Sequence, residues 1–205
     1  MLKLPNVTLC TVGSEKYRDQ MQNALDYSSS KVEFGDVKNI IIDCKDIDEW
    51  NNAIVYDLGD YIDTDYAILI HPDGGIAEPE MWDDKWLQYD FIGSPFPLPT
   101  DDFSYRDING DIQRVGNSIS LRSKKLMQLP KKLGMEWKPF HGFYNEDGYI
   151  SVNMRHVFEE HGCKFAPLEE ALKFGRETYL EDYLGDTFVY HKNYGVNARY
   201  PNFEI

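Results

Sequence analysis

Short apolar runs alternate with helical patterns through the first 70 residues, and this order restricts the fold more than any other feature. The runs that predict strands are VTLCTV (7–12), KNIIID (38–43) and YAILI (66–70). Between them, residues 15–28 carry apolar side chains at helical spacing, and Asp46 with Glu49 three residues later predicts the start of a second helix. Such alternation predicts an α/β fold with a mostly parallel central sheet and helices on both faces.

Length and composition limit the class of protein. A chain of 205 residues fits one domain, and no run approaches the ~18 consecutive apolar residues that a membrane span needs. The N-terminal segment lacks a signal-peptide core, and the three cysteines are too few for a disulfide framework, so we expect a cytoplasmic protein. The net charge of -14 argues against nucleic acid and anionic lipid as partners. A phosphate-bearing ligand therefore needs its charge offset, and a divalent metal could do this.

The third predicted strand ends in the unusual stretch HPDGG (71–75). Ligands of parallel α/β sheets bind outside the carboxyl ends of the strands, where this stretch falls. Neither GxGxxG nor GxxxxGK[ST] occurs in the chain, so a carboxylate followed by glycines suits Mg²⁺ or Mn²⁺ on a diphosphate. The same residues are also strong turn formers, and taken alone they favour a turn over a site.

Four fragments carry a resemblance to a known family. They are LPNVTL, WNNAIVYDLGDYIDTDYAILIHPDGGIAEPEMWDDKWLQYDFIGSP, VGNSISLRSKKL and NEDGYISVNMRHVFEEHGCKFAPLEEALKFGRE. In this order and spacing they resemble glycosyltransferases of the GT-A type, within a group of mostly uncharacterised glycosyltransferase-like domains from bacteria, viruses and plants. The resemblance implies one Rossmann-like GT-A domain over 1–205, with a nucleotide-binding half (1–93) and a donor-sugar and acceptor half (116–205). It further implies a hexosyltransferase-like enzyme that uses a nucleoside diphosphate sugar, with UDP as the commonest base, and a carbohydrate or glycoconjugate acceptor.

The resemblance also implies a metal site for Mn²⁺ or Mg²⁺. Asp73 occupies the last position of the family's DxD frame, which binds the metal, and His71 stands where the first Asp would be. Gly74 follows as a donor-side backbone contact. A late histidine often completes the metal shell in this class, which makes His191 the second predicted ligand, and the neighbouring Lys192 is predicted to neutralise the leaving diphosphate.

Further donor contacts follow from the strand ends and from VGNSISLRS. Thr11 and Val12 at the first strand end and Asp43 after the second are predicted to lie near the nucleotide. VGNSISLRS resembles the family's VGNGGFSLRS but is one residue shorter and lacks the paired glycines, which leaves the donor sugar open. By this resemblance Asn117, Ser118 and Arg122 are expected on the donor side; a strand entered through a turn is the alternative. The list of donor candidates is thus Thr11, Val12, Asp43, His71, Asp73, Gly74, Asn117, Ser118, Arg122 and Lys192.

Glu146 and Asp147 are the predicted catalytic carboxylates. They open a predicted helix over 146–161 that stops at Gly162, and acids in a first turn also favour the helix dipole without any further role. In inverting GT-A enzymes a carboxylate from a similar segment takes the proton of the acceptor hydroxyl. The resemblance therefore implies Asp147 as general base and Glu146 as its orienting neighbour, with His141 near the acceptor; retention of configuration stays open.

Residues 94–115 form a long segment rich in proline and aspartate with little periodicity. Such a segment inside a domain predicts a flexible loop, here one that closes over the site and excludes water. Two other functions remain open from the residues. One is a metal-dependent nucleotidyltransferase or phosphohydrolase, although TVGSEKYRDQ is poor in the glycine and basic residues that such enzymes carry after the first strand. The other is a non-catalytic sugar-binding module.

Overall fold

The fold is built on a central mixed sheet, seen in a computed structural model that describes residues 1–137, 145–178, 180 and 183–204. The strands and helices of this part of the chain are, in order, β1 (Leu2–Gly13), α1 (Arg18–Ser29), β2 (Val32–Ile41), α2 (Ile47–Tyr56), α3 (Leu58–Tyr61), β3 (Tyr66–Leu69), β4 (Gly74–Ile76), β5 (Phe91–Pro95), β6 (Val115–Ser123), α4 (Lys124–Leu133), α5 (Glu146–Gly148), α6 (Arg155–Glu160), α7 (Leu168–Phe174), β7 (Gly175–Arg176) and β8 (Val189–His191). Within the described residues, five strands form the central sheet in the order β2-β1-β3-β6-β5, and β4, β8 and β7 form a smaller sheet.

Four of the five central strands run in the same direction. β1 is parallel to β2 and to β3, whereas β6 is antiparallel to both of its neighbours, β3 and β5. The register pairs Cys10 with Leu69, so β1 and β3 reach the same edge of the sheet with their carboxyl ends. The predicted α/β fold with a mostly parallel sheet is thereby confirmed.

Helices cover both faces of the sheet because β1 buries side chains in both directions. Val7 and Leu9 belong to the core that also holds Ala24 and Leu25 of α1. The next residue, Cys10, lies on the other face, in a second core with Val12 of β1, Ile54 of α2 and Leu58 of α3. All of these side chains are buried, as expected for a strand covered on both faces.

The start of α2 follows the predicted pattern. The Asp46 carboxylate accepts a hydrogen bond from the backbone N–H of Glu49 at 2.9 Å, and the helix begins at the next residue, Ile47. The Glu49 carboxylate in turn accepts from the backbone N–H of Lys45 at 2.9 Å. These two bonds satisfy backbone donors that would otherwise be free at the helix N-terminus.

The predicted single helix over 146–161 is wrong in detail. The segment begins with α5, continues through a π-helical turn over Tyr149–Asn153, and resumes as α6. In this turn the backbone N–H of Met154 donates to the carbonyl of Tyr149 at 2.9 Å, which inserts one residue relative to a regular helix. The insertion buries four consecutive side chains, Tyr149, Ile150, Ser151 and Val152, which one face of a regular helix cannot do.

Between Pro95 and Val115 the described chain contains no helix or strand beyond one isolated bridge between Arg106 and Ile112. The predicted long loop is therefore present as a segment, while its flexibility stays a prediction. In the parts of the chain that the structure describes, no helix is both long and apolar enough to span a membrane.

Candidate functional site

A cavity of about 700 Å³ opens at the carboxyl ends of β1 and β3. Its walls come from the segment after β1, the start of α2, the residues after β3 and the start of α5. The predicted site residues that line it are Val12, His71, Asp73, Ser118, Glu146 and His191. Residues far apart in the sequence thus meet where an α/β sheet is expected to bind its ligand.

The pairing of β4 with β8 brings His191 beside Asp73. Gly74 lies opposite His191 in this antiparallel pair. A Cβ atom at Gly74 would stand 2.2 Å from Ile119 Cδ1 and 2.6 Å from the carbonyl oxygen of Tyr190, so the close approach requires a glycine. As a result His191 Nε2 lies 3.4 Å from Asp73 Oδ1.

Asn117 determines which ring nitrogen of His191 carries a proton. Asn117 Oδ1 accepts from the backbone N–H of Ile119 at 3.1 Å, and its Nδ2 donates to a carboxylate oxygen of Glu177. The oxygen of the amide therefore also faces His191 Nδ1, at 3.0 Å, so Nδ1 donates. Nε2, on the other side of the ring, faces Asp73 Oδ1 at 3.4 Å. It donates to this carboxylate when both ring nitrogens carry a proton, and in the neutral ring with the proton on Nδ1 its lone pair is open to a cation shared with Asp73.

The Asp73 and His191 pair fits a divalent metal in the chemistry of its donors. A carboxylate oxygen and an imidazole nitrogen face each other across a short gap, and the second ring nitrogen is held by a hydrogen bond, as is usual for metal-binding histidines. Among the described residues, no group of three or more His, Cys, Asp or Glu side chains is suited to hold a metal ion. A metal at this pair would take its remaining ligands from water and a bound phosphate.

The His71 ring lies between two other rings. Its centroid is 5.4 Å from that of Trp50 and 5.4 Å from that of His191. Loss of solvent and then the nearby His191 lower the pKa of His71 to about 3, so this ring is neutral. Burial raises the pKa of Asp73, but its hydrogen bond and charge interaction with His191 outweigh this effect and give a lowered pKa, so Asp73 is ionised.

Glu146 and Arg122 form a buried ion pair behind the cavity wall. Arg122 Nη2 donates to Glu146 Oε1 at 2.7 Å, and both side chains are 1% exposed. Ser118 Oγ donates to the other carboxylate oxygen at 3.1 Å, and Asn51 Oδ1 accepts the backbone N–H of Glu146 at 3.2 Å. The Glu146 carboxylate is thus fixed in place and charge-compensated, with one edge on the cavity.

Asp147 has a different environment from its neighbour. It is buried, and its Oδ1 accepts the backbone N–H of Gly148 at 2.7 Å. Burial first, and then the charge of Glu146, raise the pKa of Asp147 to about 7. Two adjacent carboxyl groups thereby differ in role: one is ion-paired, and the other can exchange a proton near neutral pH.

Among the described residues, the remaining predicted site residues stand back from this cavity. Thr11 is buried and donates to Asn39 Oδ1 at 3.4 Å, and Asp43 lines an adjacent cavity of about 660 Å³ together with Cys44. Lys192 Nζ lies 2.5 Å from Glu177 Oε1. The residues that do not line the 700 Å³ cavity are Thr11, Asp43, Gly74, Asn117, Arg122, Asp147 and Lys192. His141 lies outside the described residues.

Three residues at the site were not identified from the sequence. Trp50 lines the cavity, and its Nε1 donates to the carbonyl of Val12 at 2.8 Å. Glu204 also lines the cavity, and Glu177 holds both Asn117 and Lys192. Trp50 was visible as a tryptophan one turn after the predicted cap, but neither glutamate lies in a recognisable motif.

The fold is shared with a solved glycosyltransferase. The chain is similar to a structure described as "Crystal structure of a glycosyltransferase involved in the glycosylation of the major capsid of PBCV-1", with a TM-score of 0.58 over 90% of this chain and 92% of that chain. The two sequences are 8% identical, so the likeness concerns the fold. No curated protein matches the sequence.

A family model covers most of the segment that builds the site. It matches residues 53–191, more than half of the chain, and this range includes Asp73, Asp147 and His191. The chain belongs to the family described as "Protein of unknown function (DUF5672)".

Proposed function

We propose that the protein is a glycosyltransferase that moves a sugar from a nucleoside diphosphate sugar, preferably a UDP-sugar, to an acceptor hydroxyl. The observation that carries this proposal is the meeting of Asp73 and His191 in a cavity of about 700 Å³ at the carboxyl edge of the sheet. A fold shared with a glycosyltransferase supports the same reading.

Asp73 and His191 would hold the Mn²⁺ or Mg²⁺ ion that such a donor brings. When bound, the metal acts as a Lewis acid and offsets the charge of the leaving diphosphate. Its positive charge also offsets the repulsion between the net charge of -14 and an anionic donor. The nucleotide would occupy the part of the cavity lined by Val12 and Trp50, and Lys192 would meet the diphosphate after leaving Glu177.

Asp147 would act as the general base. Its carboxylate takes the proton of the acceptor hydroxyl while that oxygen forms a bond to the anomeric carbon. The bond between the anomeric carbon and the diphosphate oxygen breaks, and the nucleoside diphosphate leaves with the electron pair. Attack opposite the leaving group inverts the anomeric centre. A pKa of about 7 suits proton transfer near neutral pH, and we expect the rate to rise with pH up to about this value.

Glu146 would support Asp147 in this role. Its ion pair with Arg122 holds it in place, and its charge contributes to the raised pKa of Asp147. Ser118 and Asn117, at the start of β6, would face the donor sugar. The segment 96–114 would close over the donor and acceptor and keep water from the reaction.

Calorimetric titration with UDP and with GDP, with and without Mn²⁺, tests the nucleotide and metal parts of the proposal. The parent should bind at least one nucleotide more tightly with Mn²⁺, and Asp73→Ala should lose this metal-dependent gain. Glu78→Gln is the matched control, because Glu78 is a half-buried carboxylate paired to Arg199 and does not line the cavity. Equal metal-dependent binding by Asp73→Ala and the parent would place the site elsewhere.

A further inference from the structure

Two of the non-glycine residues with a left-handed backbone contact the same glutamate. In the described parts of the chain the non-glycine residues of this kind are Tyr105 (φ 56°), Asn117 (φ 77°) and Lys192 (φ 62°). Asn117 and Lys192 both bond the carboxylate of Glu177. Such backbones are strained for non-glycine residues and persist only where the surroundings impose them.

The contacts of Glu177 belong to a closed network of residues that passes through the candidate metal site. Its Oε2 accepts from Asn117 Nδ2, and its Oε1 lies 2.5 Å from Lys192 Nζ. The backbone N–H of Lys192 donates to the carbonyl of Asp73 at 2.7 Å. Asn117 contacts His191, which faces Asp73, and Glu177 Oε2 itself lies 3.8 Å from His191 Nδ1. Glu177 therefore reaches Asp73 along two routes, through Asn117 with His191 and through Lys192, but it does not line the cavity itself.

The carboxylate of Glu177 can hold the Asn117 amide in one orientation only. A carboxylate accepts hydrogen bonds and cannot donate, so it requires the NH₂ group of Asn117. The backbone N–H of Ile119 can only donate, so it requires the amide oxygen. If the amide were turned over, its oxygen would face the carboxylate and its NH₂ group would face the N–H of Ile119. Both contacts would then be repulsive.

We propose that Glu177 is a positioning residue that fixes the Asn117 amide and, through it, holds His191 with the proton on Nδ1 and the lone pair on Nε2 toward Asp73. The role of this arrangement in metal binding rests on the proposed function. The position of the proton on the His191 ring does not depend on the proposed function. Lys192, which has a left-handed backbone (φ 62°), places its Nζ 2.5 Å from Glu177 Oε1 beside the site.

The test reads the His191 ring directly by long-range ¹H–¹⁵N correlation NMR on ¹⁵N-histidine-labelled protein. Among the five histidines, the His191 signals are those that disappear in His191→Gln. At a pH where the ring is neutral, the parent should show a protonated Nδ1 and an unprotonated Nε2. Glu177→Ala frees the amide to turn over, and we expect a mixture of tautomers or the Nε2–H form. Glu177→Gln should largely restore the parent pattern, because its side-chain oxygen can accept from Asn117.

Matched controls separate this effect from the loss of any surface ion pair. Glu78→Ala removes a carboxylate that, like Glu177, is partly buried and bonds one cation and one neutral group, and it should leave the His191 signals unchanged. Glu177→Leu replaces Glu177→Ala if the latter does not fold. The proposal is overturned if the parent carries the proton on Nε2, or if Glu177→Ala or Glu177→Leu leaves the Nδ1–H pattern intact.

Titration of the same variants with Mn²⁺ alone adds the metal readout. Loss of such an outer contact typically weakens metal binding about 10–100-fold, and we expect this for Glu177→Ala but not for Glu78→Ala. If the parent itself binds no Mn²⁺, the metal part of the proposed function fails, whereas the NMR result still decides the role of Glu177. Equal Mn²⁺ affinity of Glu177→Ala and a parent that does bind the ion would contradict a role for Glu177 in metal binding.

Discussion

Two adjacent carboxyl groups at the start of α5 have opposite electrostatic surroundings. Glu146 meets the guanidinium of Arg122 at 2.7 Å, whereas Asp147 receives one backbone N–H and no cation within bonding distance among the described residues. The side chains of these adjacent residues enter different environments because successive residues of a helical turn point about 100° apart. Sequence reasoning proposes the pair from its resemblance and helix position, but it cannot show which acid Arg122 neutralises, since Arg122 lies on another element.

The raised pKa of Asp147 predicts a pH-dependent gain in stability for Asp147→Asn. The folded-state pKa of about 7 exceeds the ordinary value of 3.8, so folding favours the protonated acid. This contribution is complete below about 3.8 and is lost as the pH rises through about 7. The neutral variant should therefore match the parent near pH 4 and exceed it at pH 8, by up to about 4 kcal/mol.

Urea unfolding of both proteins between pH 4 and pH 8 measures this difference. The same series with nucleotide sugar should show that Asp147→Asn binds the donor but does not transfer the sugar. A variant that is no more stable than the parent at pH 8 would mean that Asp147 is ionised at little cost.

The Arg122 and Glu146 pair predicts a large loss of stability when one partner is removed. Glu146→Leu leaves the buried Arg122 uncompensated, and Arg122 Nη1 already has no hydrogen-bond partner among the described residues. Breaking a buried pair in this way costs about 3–5 kcal/mol, while replacing both partners by apolar side chains is often neutral. Urea unfolding should show most of the loss recovered in the double variant Glu146→Leu with Arg122→Met.

The exposed pair of Glu15 and Arg18 is the control for this experiment. Its atoms lie 2.7 Å apart, as in the buried pair, but in solvent, and Glu15→Leu should give no measurable change in unfolding free energy. A double variant as unstable as Glu146→Leu would show that packing, not charge, causes the loss.

At the scale of elements, the early part of the chain was predictable because local and tertiary signals agree there. Asp46 caps α2 as its spacing with Glu49 indicates, and the three predicted strands are β1, β2 and β3. The helix over 146–161 was predicted without its π-helical turn, because the burial of four consecutive residues depends on what surrounds them and not on their periodicity.

The candidate site was predictable only in part, for the same reason. Asp73 and His71 end a recognisable strand, so their place at the sheet edge follows from the sequence. The approach of His191 depends on the pairing of β4 with β8, which are short and far apart in the chain, and it was expected only from the resemblance. Glu177 follows a two-residue strand, and no local pattern connects it with Asn117, 60 residues earlier.

Substitution of Gly93 in β5 tests how closely the backbones of β5 and β6 approach each other. A Cβ there would lie 1.6 Å from the backbone oxygen of Gly116, and backbone cannot move aside as a side chain can. Gly93→Ala should therefore lower the free energy of unfolding by more than about 3 kcal/mol, the range of severe overpacking.

Gly148 provides the matched control. It lies in α5 with an ordinary φ of -66°, and a Cβ there would meet nothing within 4 Å. Gly148→Ala should be neutral or stabilising by about 0.5–1 kcal/mol. Comparable losses in the two variants, measured by urea unfolding, would contradict the contact between β5 and β6.

For the whole molecule, the sheet, the cavity and the net charge support one account. The sheet brings the ends of β1 and β3 to one edge, and the smaller sheet adds His191 there. The charge of -14 disfavours a phosphate ligand on its own, whereas Asp73 with His191 fits a cation that such a ligand can bring. A nucleotide-sugar donor with a divalent metal satisfies both conditions.

The most direct test of this account is release of nucleoside diphosphate when the protein is incubated with Mn²⁺ and a panel of nucleotide sugars. We expect release from at least one donor, preferably a UDP-sugar, together with its loss in Asp73→Ala and in Asp147→Asn and its retention in Glu78→Gln. No release from any donor, together with no metal-dependent binding of UDP or GDP, would contradict the proposed function.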